Sequence, residues 1–372
     1  VKKVIIFGTG ATSKIVNSGL KEDVDIVCYC DNDKSKWGKI FDEKEVICPE
    51  NIKEINFDYI IIASQFNDEI YNQLIEIGIN QVKVLQFFKY IDSFWSYVEF
   101  DLLQLYNNRE NVEGIITGIS YAEKGINEKV LIKNFNKLTR HSQDLYYDYN
   151  LVNYAIDKYK EEMKNLKYVI ISLSYYSFEY DMSLSAMKGK VQAYYKAIGK
   201  EHHLLDIDRY LSETENNEYI VKEVFHLDIY GYPKVKWNIT SSDKKIDLVN
   251  EEYGKRQALL DCNKNYYETV KENTEILQKY LQLLKDNNIK PIIVVCPVSK
   301  YYSKYFLQSM KEEFYSIINK VKEQYSFQFL DYFNNKLFED SDFYDVSHLN
   351  EIGAEKFTRI LNKDIIWDTD SV

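Results

Sequence analysis

A chain of 372 residues, 45% hydrophobic and 28% charged, has the apolar material for two ordinary domains or one large one. Its 58 acidic against 47 basic side chains leave a net charge of −11, which argues against nucleic acid or an anionic bilayer as a partner. No basic segment followed by an apolar one opens the chain and no apolar run is long enough to span a bilayer, so a cytoplasmic protein without stable membrane insertion is expected.

Residues 1–90 read as one unit. Lys3-Val-Ile-Ile-Phe7 is a strand, followed by the turn Gly8-Thr-Gly10-Ala-Thr-Ser13 and a helical pattern to Leu20. Asp25 to Cys30 is a second strand ending at Asp31, and Tyr59 to Ala63 a third. A helix over 69–77 and the strand Gln81 to Leu85 close the unit. Strands alternating with helices predict a parallel α/β sheet covered on both faces. A glycine turn between strand and helix lets backbone N–H groups approach a phosphate, and an acidic residue about twenty positions on is placed to hold a ribose hydroxyl. Gly8, Gly10, Ser13 and Asp31 are therefore the expected cofactor-binding residues, with Ser13 standing where the fingerprint has its third glycine.

Residues 91–112 read as a connecting helix with Phe94, Val98, Leu102 and Leu105 at helical spacing, suited to an interdomain or homo-oligomer contact. From residue 113 a second α/β unit begins. Gly114-Ile-Ile-Thr-Gly118-Ile-Ser120 is an apolar strand ending in a serine, a common way to present a nucleophile. A short strand near 131–138 precedes Arg140-His141-Ser142-Gln143 and a helix to about residue 162. Tyr168 to Ser174 is another strand. Residues 183–261 look irregular and rich in Tyr, with Trp237, and are expected to form an inserted cap. A helix near 266–285, the strand Pro291 to Cys296, a helix near 311–324 and the strand Phe327 to Asp331 follow. Asp345-Val-Ser-His348-Leu-Asn-Glu-Ile-Gly353 then precedes the last helix. An Asp and a His three residues apart on one loop supply a general base and the carboxylate that orients it.

Five cysteines show no complete metal-ligand spacing and read as reduced, buried thiols. His202-His203 are expected to be structural or exposed rather than metal ligands, and no metal site is expected.

The Gly-x-Ser ending at Ser120 and the block Asp345-x-x-His348-Leu-Asn-x-x-Gly353 resemble the SGNH (GDSL-like) hydrolase and acyltransferase superfamily. The resemblance implies a flavodoxin-type α/β/α domain over 113–372, carrying the 183–261 insertion. It implies Ser120, His348 and Asp345 as catalytic residues, with no cofactor needed for the hydrolase chemistry. The family's oxyanion blocks correspond to Arg140-His-Ser142-Gln143 and Ser172-Leu-Ser174, so Ser142, Gln143 and Ser174 are the implied donors. Ser174 stands where the family has Asn, and Ile119 where it has Asp, departures that suit the branch containing polysaccharide O-acetylation and teichoic-acid D-alanylation proteins.

Ile6-Phe-Gly-Thr-Gly10, Tyr29-Cys-Asp31-Asn-Asp33 with Trp37-Gly38, and Tyr59 to Ser64 make residues 1–90 similar to the Rossmann-like N-terminal domains of sugar-nucleotide-modifying enzymes. A nucleotide or sugar nucleotide is the ligand this implies; redox use of NAD is not implied. Together these readings predict a Ser-His-Asp ester hydrolase or O-acyltransferase acting on a sugar or cell-envelope glycan precursor. The alternative is an inactive SGNH-like scaffold in polysaccharide biosynthesis, motivated by the altered oxyanion blocks.

Overall fold

Lys2–Phe7 (β1) sends alternate side chains to opposite faces, as the two-residue period of a strand requires, and both faces are buried. Val4 and Ile6 join one apolar cluster, while Ile5 and Phe7 join another. The same alternation holds for Tyr59–Ile62 (β5), so this sheet is sandwiched between two cores. Its other strands are Val24–Cys30 (β2), Ile40–Phe41 (β3), Lys44–Ile47 (β4) and Val84–Gln86 (β6). Their order is β3-β4-β2-β1-β5-β6, parallel throughout except for the β3–β4 pair.

The structure, a computed structural model, describes residues 1–94, 97–204, 206–229, 231–236, 248–264, 268–334 and 336–368. The chain divides into two compact units, the first Val1–Ser96 with Ser183–Lys245, the second Tyr97–Met182 with Ile246–Val372. This differs from the expected boundaries at two places. The 91–112 segment is two helices, Phe87–Phe94 and Tyr97–Asn108, which fall in different units. Most of the 183–261 stretch is part of the first unit rather than a cap on the second. Its helix Ile207–Val224 places Ile220, Val221 and Val224, with the following Phe225, against the Val4/Ile6 face of the sheet. Trp237, expected in that stretch, lies outside the described residues.

The second unit holds five parallel strands: Gly114–Gly118 (β7), Phe135–Thr139 (β8), Tyr168–Leu173 (β9), Lys290–Val295 (β10) and Gln328–Asp331 (β11). Their order, β11-β10-β9-β7-β8, is the flavodoxin-type winding that the resemblance implies. The reversal beside β7 opens a crevice at the carboxyl ends of the strands, where open α/β sheets place their sites. Among the described residues no helix is long and apolar enough to cross a membrane.

Candidate active site

β7 is buried along its whole length and ends at Gly118, whose φ of +136° few side chains adopt. A Cβ there would also lie 2.7 Å from the Ser172 carbonyl oxygen on β9, so two independent constraints select glycine. The chain then turns through extended Ile119 and starts the helix Ser120–Gly125, leaving Ser120 half-buried at the strand end.

The partner loop is built from the His348-Leu-Asn-Glu-Ile-Gly353 block, and most of its residues have a local task. Asn350 caps the helix Glu351–Asp364 by accepting the Gly353 N–H at 3.0 Å, and its side-chain amide donates to the Ser341 carbonyl at 2.7 Å. Leu349 is buried, and Phe343 bridges to it across the loop. A Cβ on Gly353 would sit 2.1 Å from the Asp342 carbonyl oxygen, so only glycine lets the helix start this close. The loop folds Asp345 back beneath His348.

The three side chains expected to act together are joined. His348 Nε2 lies 2.8 Å from Ser120 Oγ, and His348 Nδ1 lies 3.0 Å from both Asp345 carboxylate oxygens. The Asp345 carboxylate also accepts the backbone N–H groups of Ser347 and His348, each at 2.9 Å. Burial alone would raise the Asp345 pKa, but the His348 ring and these N–H groups outweigh it and hold the carboxyl below the usual carboxylate range. Tyr121 stacks on the imidazole with ring centroids 5.3 Å apart. Its hydroxyl lies 3.2 Å from that of Tyr302, which donates to Asp261 at 2.9 Å. The sequence offered no sign of this buried chain, because it is assembled from three segments distant in sequence.

Ser120 and His348 open on a cavity of about 320 Å³ also lined by Lys124, His141, Ser142, Tyr176, Tyr180, Gln257, Asp261 and Tyr344. Of the three expected oxyanion donors, one reaches this cavity. Ser142 lines it with its backbone in the left-handed region, φ +68°. Gln143 does not: it is buried, and its amide nitrogen donates to the Leu138 carbonyl at 2.8 Å and to Asp148 at 2.5 Å. Ser174 is also buried, with its N–H and hydroxyl directed to Ser177 Oγ. Both expectations fail for the same reason: these polar side chains complete the interior rather than face the substrate. His141 sits at the cavity edge, 3.5 Å from Glu123.

In the first unit, Gly8, Gly10 and Asp31 line a cavity of about 520 Å³ at the carboxyl ends of β1, β2 and β5. Ser13 does not line it; its hydroxyl donates to the Gly8 carbonyl at 2.7 Å and fixes the turn. Asp31 accepts from Thr9 Oγ1 at 2.5 Å and from Lys36 at 2.9 Å, and these partners, against burial, hold its pKa below the usual range. His202 and His203 lie on a turn rather than a helix, with their rings stacked 4.1 Å apart. The cysteines are all unpaired.

Residues 240–359 match the family model described as DltD protein, a span that contains Asp345 and His348 but not Ser120. Residues 1–85 match a second model, C2185-like, N-terminal. No curated protein matches the chain. Among solved structures it is similar to a Bacteroides fragilis protein assigned as an acylhydrolase, with 10% identity, 72% of this chain and 95% of that chain covered, and a TM-score of 0.33. A GDSL-like lipase from Bacteroides thetaiotaomicron gives 11% identity, 72% and 98% coverage and a TM-score of 0.31.

Proposed function

We propose that the SGNH-like unit is a Ser120-dependent ester hydrolase or O-acyltransferase acting on a sugar or cell-envelope glycan precursor. The observation that carries this is the unbroken chain from Asp345 through His348 to Ser120 at the mouth of a cavity. Ser120 Oγ attacks the acyl carbonyl while His348 Nε2 takes its proton. The tetrahedral intermediate collapses, the alcohol leaves with that proton, and the acyl group stays on Ser120. Water or a sugar hydroxyl then attacks the acyl-serine, with His348 as base, and Ser120 is regenerated. Asp345 fixes the imidazole tautomer and stabilises the imidazolium.

The oxyanion is taken by backbone N–H groups, those of Ser120 and Ser142. The Ser120 N–H opens its helix and so has no intrahelical acceptor. The Ser142 N–H has no acceptor among the described residues. The exposed Tyr344 offers an aromatic face for a sugar ring. The DltD match supports the cell-envelope reading, and the cavity at Gly8, Gly10 and Asp31 supports a nucleotide or sugar nucleotide at the first unit.

Turnover of p-nitrophenyl acetate, with and without a soluble sugar acceptor, tests the chemistry. Wild type should release nitrophenolate and Ser120→Ala should not; acyl sugar among the products marks a transferase. Absence of turnover by folded wild type would favour the scaffold reading, which the inward-facing Gln143 and Ser174 support. A thermal-shift panel of nucleotides and sugar nucleotides tests the first unit, and no shift with any of them would remove its ligand role.

A further inference from the structure

Gln143 was expected to touch substrate, yet it is buried, and what it touches is informative. Its side-chain nitrogen bridges the Leu138 carbonyl, near the end of β8, to Oδ1 of Asp148 on the helix Leu145–Tyr159. Asp148 is itself buried, and Leu138 pairs with Thr117 on β7, three residues before Ser120. The Gln143 amide, held by the Asp148 carboxyl, therefore ties the loop that carries Ser142 to the strand lying beside the nucleophile strand. The Ser142 peptide is held from its other side as well, because Tyr180 Oη donates to the Ser142 carbonyl at 3.0 Å.

We propose that Asp148 and Gln143 are positioning residues that fix the distance between the two backbone N–H groups, of Ser120 and Ser142, taken above to receive the oxyanion. The inference rests on the Ser120 reading and deepens it by saying what replaces the side-chain donors that the buried Gln143 and Ser174 cannot supply. Oxyanion stabilisation depends on donors set in place before charge develops, so a brace beneath both donors governs the chemical step rather than ground-state binding. Asp148 makes no contact with the cavity. Full burial, with Asp144 nearby, raises its pKa above the usual carboxylate value. An amide of the same shape keeps an oxygen to accept the Gln143 N–H, whereas a methyl group does not.

The experiment compares wild type, Asp148→Asn, Asp148→Ala and Gln143→Met. It reads kcat and KM for p-nitrophenyl acetate and the rate constant of fluorophosphonate labelling, each normalised to the fraction of molecules that label at completion. Asp148→Asn should stay within about threefold of wild type, since its carboxamide oxygen still accepts the Gln143 N–H. Asp148→Ala should lose about 100-fold in kcat and in labelling rate with KM within about twofold, the size of effect seen when an oxyanion donor is misplaced. Gln143→Met should fall in the same way, and it decides the matter if Asp148→Ala does not fold. Per-site kcat and labelling rates equal to wild type in the alanine and methionine variants, with only the melting temperature lowered, would overturn the proposal and leave a purely structural role. A loss of activity in Asp148→Asn as large as in Asp148→Ala would also overturn it, because it would show that the hydrogen bond to Gln143 is not what positions the site. If folded wild type neither labels nor turns over, the Ser120 reading fails first and the brace falls with it.

Discussion

The two sheets of this chain end their first strands in the same way and put the result to different use. Gly8 closes β1 with φ +120°, and a Cβ there would meet the Ala63 carbonyl oxygen at 2.9 Å; Gly118 closes β7 with φ +136° and meets Ser172 at 2.7 Å. In both units a serine follows within a few residues. Ser13 in the first unit donates to the Gly8 carbonyl and is consumed by the turn, while Ser120 in the second lies against an imidazole. An aspartate is present in each case too. Asp31 is paired with Lys36 and accepts from Thr9, whereas Asp345 faces His348. A lysine ammonium holds its proton at neutral pH, but an imidazole passes one on. The shared strand-end geometry thus makes a crevice, and the ring that accepts and returns a proton is what distinguishes the second crevice from the first.

Substitutions separate the two cases. Ser120→Ala should reduce kcat/KM for an activated ester by about 10³-fold or more, whereas Ser13→Ala should leave it unchanged; steady-state assays on both variants test the pair. Asp345→Asn should lower kcat by about 10³-fold with the fold retained, by releasing the imidazole tautomer. The same variant carries a pH signature. The folded-state pKa of Asp345 lies below its unfolded value, so the ionised group contributes stability that is fully present above the unfolded pKa and is lost as pH falls through the folded one. Urea unfolding should therefore show Asp345→Asn less stable than wild type at neutral pH, with the gap narrowing below about pH 4. Gly118→Ala should cost about 3 kcal/mol, since it combines a disfavoured φ with a backbone collision; urea midpoints measure it. Ser13→Ala should cost only about 1 kcal/mol, one hydrogen bond in a turn that otherwise stays intact.

What the sequence made legible was local. The apolar runs of β1, β5, β7, β9 and β10 are buried on both faces, so their composition announces them. The His348-to-Gly353 block was readable because its Asn, Leu and Gly each meet partners within the same loop and the start of its helix. The helix Ile207–Val224 was missed because Ser212-Glu-Thr-Glu-Asn-Asn-Glu218 carries no apolar period and its known core contacts crowd its last turn. The hairpin of β3 and β4 is too short for periodicity to register. Gln143 and Ser174 were misassigned because chain position says which loop a residue is on but not whether it points inward. The partners that turn Gln143 away, Leu138 and Asp148, become visible only once β8 and the following helix are packed.

The claim that Ser120 is an activated nucleophile is tested most directly by intact mass after exposure to a small fluorophosphonate, on wild type and on Ser120→Ala. One adduct on wild type, absent from the alanine variant, is the result this account predicts. No adduct on folded wild type, or one that persists when Ser120 is gone, would contradict it.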